Sequence, residues 1–366
     1  MTMTASQPRH SPRVSVVLPI HNGSEFLVEA VESLLNQTFS NLEILALDDG
    51  SDDDSLALLE PIAHRDPRLR VLPRPWRGLV PTLNEGLELA RGEFIARMDA
   101  DDICYPHRLE RQVDLMDRAP AIGLCGTATR TFGGPDGSRR RHLVNHEDLD
   151  AWLPMGVPLA HPTVLFRREL VEDSLRYRSS FTYAEDMDLW ERMLRRTRAV
   201  NIPEPLLHYR HHDNNISDRK ATQVLLNHLR ITHRRLGELG VDPSPEELRA
   251  FIGRGEHPGG VNGLREFYDR VFEANRQTGR YRARSLAHAL SSIYQRSLSR
   301  YYGIPAWMQL HRHPPQWYRQ RALPLQTPSP GQAIGRSLRN FLGRPKPFAE
   351  ILTPSAEQIR AGTGLE

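Results

Sequence analysis

The stretch VSVVLPIHNGSEFLVEAVESLLNQTFSNLEILALDDGS, residues 14–51, decides the fold class. Val14 to Leu18 is a short β-branched apolar run closed by Pro19, which reads as a buried strand. Phe26, Ala30, Val31, Leu34 and Leu35 then recur at helical spacing and stop near Thr38. Leu42 to Leu47 is a second apolar strand, ending abruptly in Asp48-Asp49-Gly50-Ser51. A strand, a helix and a strand within forty residues make a βαβ unit with parallel strands.

The same alternation runs outward from this stretch. A helix through Leu56, Leu58 and Leu59 leads to a strand over Leu69 to Leu72. Thr82 to Arg91 reads as a helix and Glu93 to Met98 as a fourth strand, closed by Asp99-Ala100-Asp101-Asp102. Pro106 opens a further helix carrying Leu109, Val113 and Met116 on one face. Strand character returns over Ala121 to Thr131. The expectation is an α/β fold with a mainly parallel sheet flanked by helices. Beyond Lys220 the pattern turns helical: Val224 to Leu239, Leu264 to Glu273 and Arg282 to Tyr302. The chain therefore divides into a tail over 1–12, an α/β domain over 13–219, a helical basic extension over 220–345 and a loose end over 346–366. The region from Phe132 to Pro158 is too irregular to read.

The bulk numbers are those of a soluble globular protein: 366 residues, 39% hydrophobic and 25% charged. No run approaches the ~18 apolar residues of a spanning helix, and the polar N-terminus lacks a secretory core. The expected location is cytoplasmic. Cys104 and Cys125 have no further pair with which to form a metal cluster and read as buried thiols.

Ligands of open α/β sheets bind beyond the carboxyl ends of the strands, where strand order reverses. Here three strand ends carry polar groups: Pro19-Ile20-His21-Asn22, Asp48-Asp49-Gly50-Ser51 and Asp99-Ala100-Asp101-Asp102. Bare carboxylates repel a nucleoside diphosphate, and a hard divalent cation shared by carboxylate and phosphate oxygens removes that conflict. Taken alone, Asp-x-Asp reads first as a solvated acidic turn, and Asp49 equally reads a nucleobase or caps a helix. Glu185-Asp186 precedes a helix bearing Leu189, Trp190, Met193 and Leu194. Its site at a helix N-terminus suggests a carboxylate kept ionised by the dipole, ready to take a proton.

The ordered set resembles the family 2 glycosyltransferases, with the nucleotide-sugar-binding GT-A fold. The resemblance rests on residues 14–51, then RGLVPTLNEGLELARGEFIARMDADDICYPHRLERQV (77–113), HPTVLFRRE (161–169), YAEDMDLWERML (183–194) and HYRHHDNNIS (208–217). It implies that Pro19, His21, Asn22 and Glu25 fall in the loop that holds the base, with His21 where the family usually has tyrosine. Asp49 would read the base, Arg77 would meet the nucleotide, and Asp99 and Asp101 would match the Asp-x-Asp. Asp101 would then be the principal ligand of Mg2+ or Mn2+. Asp186 would be the catalytic base of an inverting transfer, with Glu185 beside it. His212 matches a histidine that meets the diphosphate or its metal, although a surface cluster with His208 and His211 is an equal reading. His161 either shapes the acceptor side or packs structurally. The implied partners are a nucleotide-sugar donor, with uridine diphosphate as the default, and a saccharide or lipid-linked acceptor.

Competing α/β functions fit poorly. A dehydrogenase needs Gly-x-Gly-x-x-Gly after the first strand, where this chain has Pro-Ile-His-Asn-Gly-Ser. A nucleotidyltransferase would carry a glycine- and lysine-rich phosphate loop there. A non-catalytic sugar-nucleotide binder would have no need of Asp186. From Arg276 to Ala349 the chain has no Asp or Glu but many arginines, interleaved with Tyr281, Tyr294, Tyr301, Tyr302, Trp307, Trp317 and Tyr318. That composition suits either a basic helix packed on the protein or a surface lying on anionic lipid at the inner face of the plasma membrane. No nucleic-acid-binding module is visible.

Overall fold

The computed structural model describes residues 11–133, 139–140, 143–172, 175–212, 219–303 and 314–319. The tail expected over 1–12 falls outside these residues except for Ser11 and Pro12, as do the end over 346–366 and Asp213. The chain forms two compact units, residues 1–145 with 159–215, and residues 146–158 with 216–366.

The first unit is a sheet with helices. Strands β1 (Val14–Ile20), β2 (Leu42–Asp49), β3 (Leu69–Arg74) and β4 (Phe94–Arg97) alternate with helices α1 (Leu27–Leu35), α2 (Ser55–Arg65) and α3 (Leu79–Leu89). Their order across the sheet is β3-β2-β1-β4, all parallel. The chain steps outward from β1 to β3 and then returns to the other side of β1, so strand order reverses between β1 and β4. In open α/β sheets such a reversal marks the place, outside the carboxyl ends of the strands, where ligands bind. All eight residues of β2 are buried, as a parallel strand covered on both faces requires.

Beyond β4 the sheet is mixed. Strand β5 (Ile103–Cys104) is followed by α4 (Arg108–Arg118), β6 (Ile122–Phe132), β7 (Arg139–Arg140), β8 (Leu165–Arg167), the short α6 (Glu169–Glu172), α7 (Glu185–Leu194) and β9 (Arg198–Arg210); α5 (His146–Trp152) belongs to the second unit. Strand β8 runs antiparallel between β4 and β6, with Phe166 opposite Ile95 and Leu124. Strand β9 runs parallel to β6 with register shifts around Ala128. Its far end pairs antiparallel with β5, His208 opposite Ile103. This last pairing delivers residues 208–212 to the acidic run that follows β4.

The second unit comprises α5, α8 (Ala221–Gly237), α9 (Pro245–Phe251), α10 (Gly260–Thr278), α11 (Ala283–Ser297) and α12 (Gln316–Arg319). Helix α9 starts with a full capping box, Ser244 with Glu247. The stripe Leu286, Leu290, Ile293 and Ser297 faces inward, as do Tyr281, Tyr294, Trp317 and Tyr318, all of them buried. These four aromatics are thus core residues of the helical unit and do not form an interfacial belt. Their rings pack edge to face, with Trp317 5.5 Å from Tyr294 and 5.7 Å from Tyr268. No helix among the described residues is long and apolar enough to cross a membrane.

Candidate functional site

The first strand ends bind one another before they bind anything else. Asn22, in the left-handed region at φ 53°, takes a hydrogen bond from Asp52 N–H at 2.9 Å and donates its own N–H to the Ser51 hydroxyl at 3.0 Å. The Ser51 hydroxyl also bonds the Asp48 carboxylate. The exposed His21 ring meets the Asp49 carbonyl oxygen through Nδ1 at 2.9 Å. Asp49 is buried, and its two carboxylate oxygens accept the N–H groups of Arg77 and Gly78, each at 2.8 Å. It thus holds the loop ahead of α3, while each oxygen keeps a second acceptor direction. Arg77 sends its guanidinium to Glu85, which also pairs with Arg74. Pro19 is partly buried and Glu25 is exposed at the rim of the same loop.

The strand-four cluster is more charged than its motif suggested. Ligand oxygens of Asp99, Asp101 and Asp102 all lie within 4.8 Å of one another. Asp99 is paired with Arg97, a buried guanidinium inside β4. Asp101 meets His212 Nε2 at 2.9 Å. Asp102 is 1% exposed; one oxygen accepts Arg210 N–H at 2.8 Å, and the other has no partner among the described residues. Burial, with the neighbouring Asp99 and Asp101 charges, pushes the Asp102 carboxyl well above the usual carboxylate range. Arg210 braces the run by donating to the Asp101 carbonyl at 2.7 Å and stacking over Phe26 and Phe132. Three mutually repelling carboxylates, one with a buried oxygen left unbonded, form a hard oxygen donor set that fits a divalent cation.

The Glu185-Asp186 pair begins α7, as the sequence pattern implied. Just before it, Tyr183 holds φ at 72°, an unusual conformation for a bulky residue and an observed outlier beside the site. The Asp186 carboxylate accepts its neighbour Met187's N–H at 2.7 Å. The helix N-terminus is not the largest influence on this pair. Burial outweighs the dipole and raises both carboxyls, with Asp186 adding to the rise at Glu185 and Asp99 adding to that at Asp186. The Asp99 contribution is a small one, and it puts Asp99 within electrostatic range of Asp186.

His161 bonds the Tyr177 hydroxyl through Nε2 at 2.8 Å and packs edge-on to Trp190, 5.8 Å between centroids. Burial, then the Arg97 charge, depress its pKa well below the ordinary value, so it is held neutral. Of its two sequence readings, the contacts are those of a packed histidine. Arg97, Asp102 and Tyr177 went unassigned in the sequence. Arg97 was legible as the one basic residue in the apolar run FIARM, and Asp102 as the fourth letter of DADD. A cleft of about 450 Å³ lies on the flank of α3 around Arg74, Arg77 and Glu85, and is lined by none of Asp49, Asp99, Asp101 or Asp186.

Comparison with known proteins gives a consistent picture. The profile of Glycosyl transferase family 2 matches residues 15–175. The chain is 31% identical to the putative glycosyltransferase EpsE of Bacillus subtilis over 59% of its own length and 79% of that protein. It is 30% identical to the amylovoran biosynthesis glycosyltransferase AmsE of Erwinia amylovora, covering 61% of this chain and 85% of the relative. The O-antigen biosynthesis glycosyltransferase WbnJ of Escherichia coli is also 30% identical, over 55% of this chain and 80% of that one. Among solved structures, S. aureus TarS 1–349 in complex with UDP-GlcNAc superposes with a TM-score of 0.54 at 15% identity, covering 82% of this chain and 92% of that chain. That likeness is one of fold.

Proposed function

The chain belongs to glycosyl transferase family 2 and is a glycosyltransferase, and from that premise we propose the donor, the chemistry and the acceptor class. The donor is a nucleoside diphosphate sugar, UDP-linked in the first instance. The acceptor is a hydroxyl of a saccharide or lipid-linked saccharide in cell-surface polysaccharide or glycoconjugate synthesis. The names of AmsE and WbnJ support the acceptor class, and the UDP-GlcNAc bound to TarS supports the donor. The observation that carries the reading is two acidic sets linked electrostatically through Asp99 and Asp186. The sets are the Asp99–Asp101–Asp102 cluster and the buried Glu185–Asp186 pair.

Each residue then has a task. His21, Asn22 and Asp49 line the base end, and Asp99 lies toward the ribose and sugar. Asp101, with Asp99 and Asp102, would hold Mg2+ or Mn2+, and His212, 2.9 Å from Asp101, would meet the same ion or the diphosphate. When bound, such a cation neutralises the charge that develops on the departing diphosphate. Asp186 accepts the proton of the acceptor hydroxyl as that oxygen bonds to the anomeric carbon and the bond to the diphosphate oxygen breaks. One such displacement inverts the anomeric centre. A carboxyl raised by burial makes a stronger base once ionised than a solvated aspartate. In the second unit the exposed Arg282, Arg284, Arg296 and Arg300 suit an anionic surface near a lipid-linked acceptor, which would put the enzyme at the cytoplasmic face of the membrane.

The test is a panel of UDP-, GDP- and dTDP-sugars assayed for nucleotide release with and without added Mg2+ or Mn2+. Wild type should turn over at least one donor, and Asp186→Asn should lose ~10²–10⁴-fold in kcat with donor affinity kept. Comparable turnover by Asp186→Asn would overturn the assignment of the base. Flotation with neutral and anionic vesicles tests the surface, and equal recovery from both would remove it.

A further inference from the structure

Among the described residues, four large hydrophobic side chains stand exposed, and Trp76, 68% open, is the aromatic one among them. Tryptophan carries a large apolar area and is enriched at interfaces. Its ring meets no aromatic or cationic partner among the described residues.

The loop that presents Trp76 is fixed from several directions. Pro73 and Pro75 restrict its backbone. Asp49 accepts the next two N–H groups, those of Arg77 and Gly78. Arg74 and Arg77 both close onto Glu85. Gly50, at φ 69°, lies so close beneath that a Cβ there would come within 2.6 Å of the Trp76 nitrogen. Gly78, at φ 91°, then lets the chain turn into α3. An exposed indole on a pre-ordered loop loses little conformational freedom when something covers it.

Its place identifies the cover. The Trp76 backbone and Cβ lie against Gly50, the residue after Asp49, and His21 is anchored to the Asp49 carbonyl at 2.9 Å. Two exposed ring side chains therefore start from the neighbourhood of one buried carboxylate that retains acceptor capacity. That combination suits a flat heterocycle bearing N–H donors. Resting on the nucleotide-donor reading above, we propose that Trp76 is a binding residue for the donor nucleobase, its indole stacking on the base that Asp49 reads. His21 offers a smaller and more polar ring than the indole, so Trp76 supplies the larger share of the stacking surface.

The experiment is calorimetric titration of wild type, Trp76→Ala and Trp76→Phe with UDP, GDP and dTDP in the presence of Mn2+, and with inorganic pyrophosphate as the probe lacking a base. Stacking on an aromatic side chain predicts a loss of about 5- to 100-fold in nucleotide affinity for Trp76→Ala. Trp76→Phe should recover most of it, and pyrophosphate affinity should not change. Because the side chain is exposed, melting temperatures should agree, which separates a binding effect from misfolding. Nucleotide affinity retained in Trp76→Ala overturns the inference and leaves the donor reading standing. Equal losses for nucleotide and pyrophosphate also overturn it, since the base would not be what the indole senses. Wild type that binds none of the three nucleotides sinks the donor reading and the inference together.

Discussion

Glu185→Gln separates the two acidic residues of the α7 start by their costs. Glu185 is 5% exposed, and one of its carboxylate oxygens has no hydrogen-bond partner among the described residues. Burial first, and the Asp186 charge second, lift its carboxyl from 4.5 to about 7. A carboxyl raised in the folded state favours the protonated native form, so its penalty is absent below the unfolded pKa. The penalty grows as pH rises from about 4.5 and is complete above about 7. That rise corresponds to roughly 3 kcal/mol, an upper figure because the pair titrates as a unit. The glutamine variant has no charge to desolvate. It should therefore unfold at higher urea than wild type at pH 8, with the gap closing by pH 4. Its transfer activity should persist, with an acid limb near the position of Asp186, which burial raises to about 6 against the opposing Met187 N–H and Arg97. Urea melts at pH 4, 6 and 8 with kcat/KM profiles on the same preparations check both halves. A stability gap that does not depend on pH refutes the burial argument. Activity lost as fully as in Asp186→Asn refutes the division of roles.

Asp101→Asn should abolish the thermal shift produced by Mn2+ while leaving the fold intact, read by scanning fluorimetry with and without chelator. Gly86→Ala places a Cβ 2.4 Å from a Val17 methyl and 3.3 Å from Leu47 inside the parallel core, so it should cost ~1–3 kcal/mol in denaturant unfolding. Asp150→Ala removes the acceptor shared by the fully buried Arg235 and by Arg280. A loss of ~3–5 kcal/mol is expected, because a buried guanidinium would lose a principal partner, and unfolding followed by tryptophan fluorescence would report it through Trp152 and Trp317.

Much of the first unit was legible because its strands are short apolar runs that end in polar turns. Leu42–Asp49 is buried along its whole length, and no other element type suits an eight-residue run bounded by Asp-Gly-Ser. What escaped the sequence reading was set by long-range pairing. Strand β9 carries Pro203 and Pro205 and shifts register against β6, which hides its period of two. Strand β8 is three residues long and exists because β4 and β6 flank it. The helix at 146–152, within the stretch too irregular to read, groups with the second unit. The site followed the same division. Asp49, Asp99, Asp101 and Asp186 could be named from motifs, whereas the charge on Asp186 depends on burial that no motif encodes. The basic stretch left two readings open for a related reason, because a row of letters does not say that Tyr281, Tyr294, Trp317 and Tyr318 are core residues in space.

The position of Arg97 explains how so acidic a site stays folded. Asp99, Asp101, Asp102, Glu185 and Asp186 form two acidic sets linked electrostatically through Asp99 and Asp186, and charges of one sign should force the strand ends apart. Arg97 is buried within β4, pairs with Asp99, and its charge favours ionisation at Asp186, Glu185 and Asp102 alike. Two of its guanidinium nitrogens have no partner among the described residues, so the compensation is through space more than through hydrogen bonds. A buried cation with unfilled donors is costly by itself, and five crowded carboxylates are costly by themselves. Placed together, each lowers the cost of the other. The residual negative charge is left where a divalent cation and a diphosphate would meet it. The fully buried strands β2 and β4 are the packed support that electrostatic preorganisation requires.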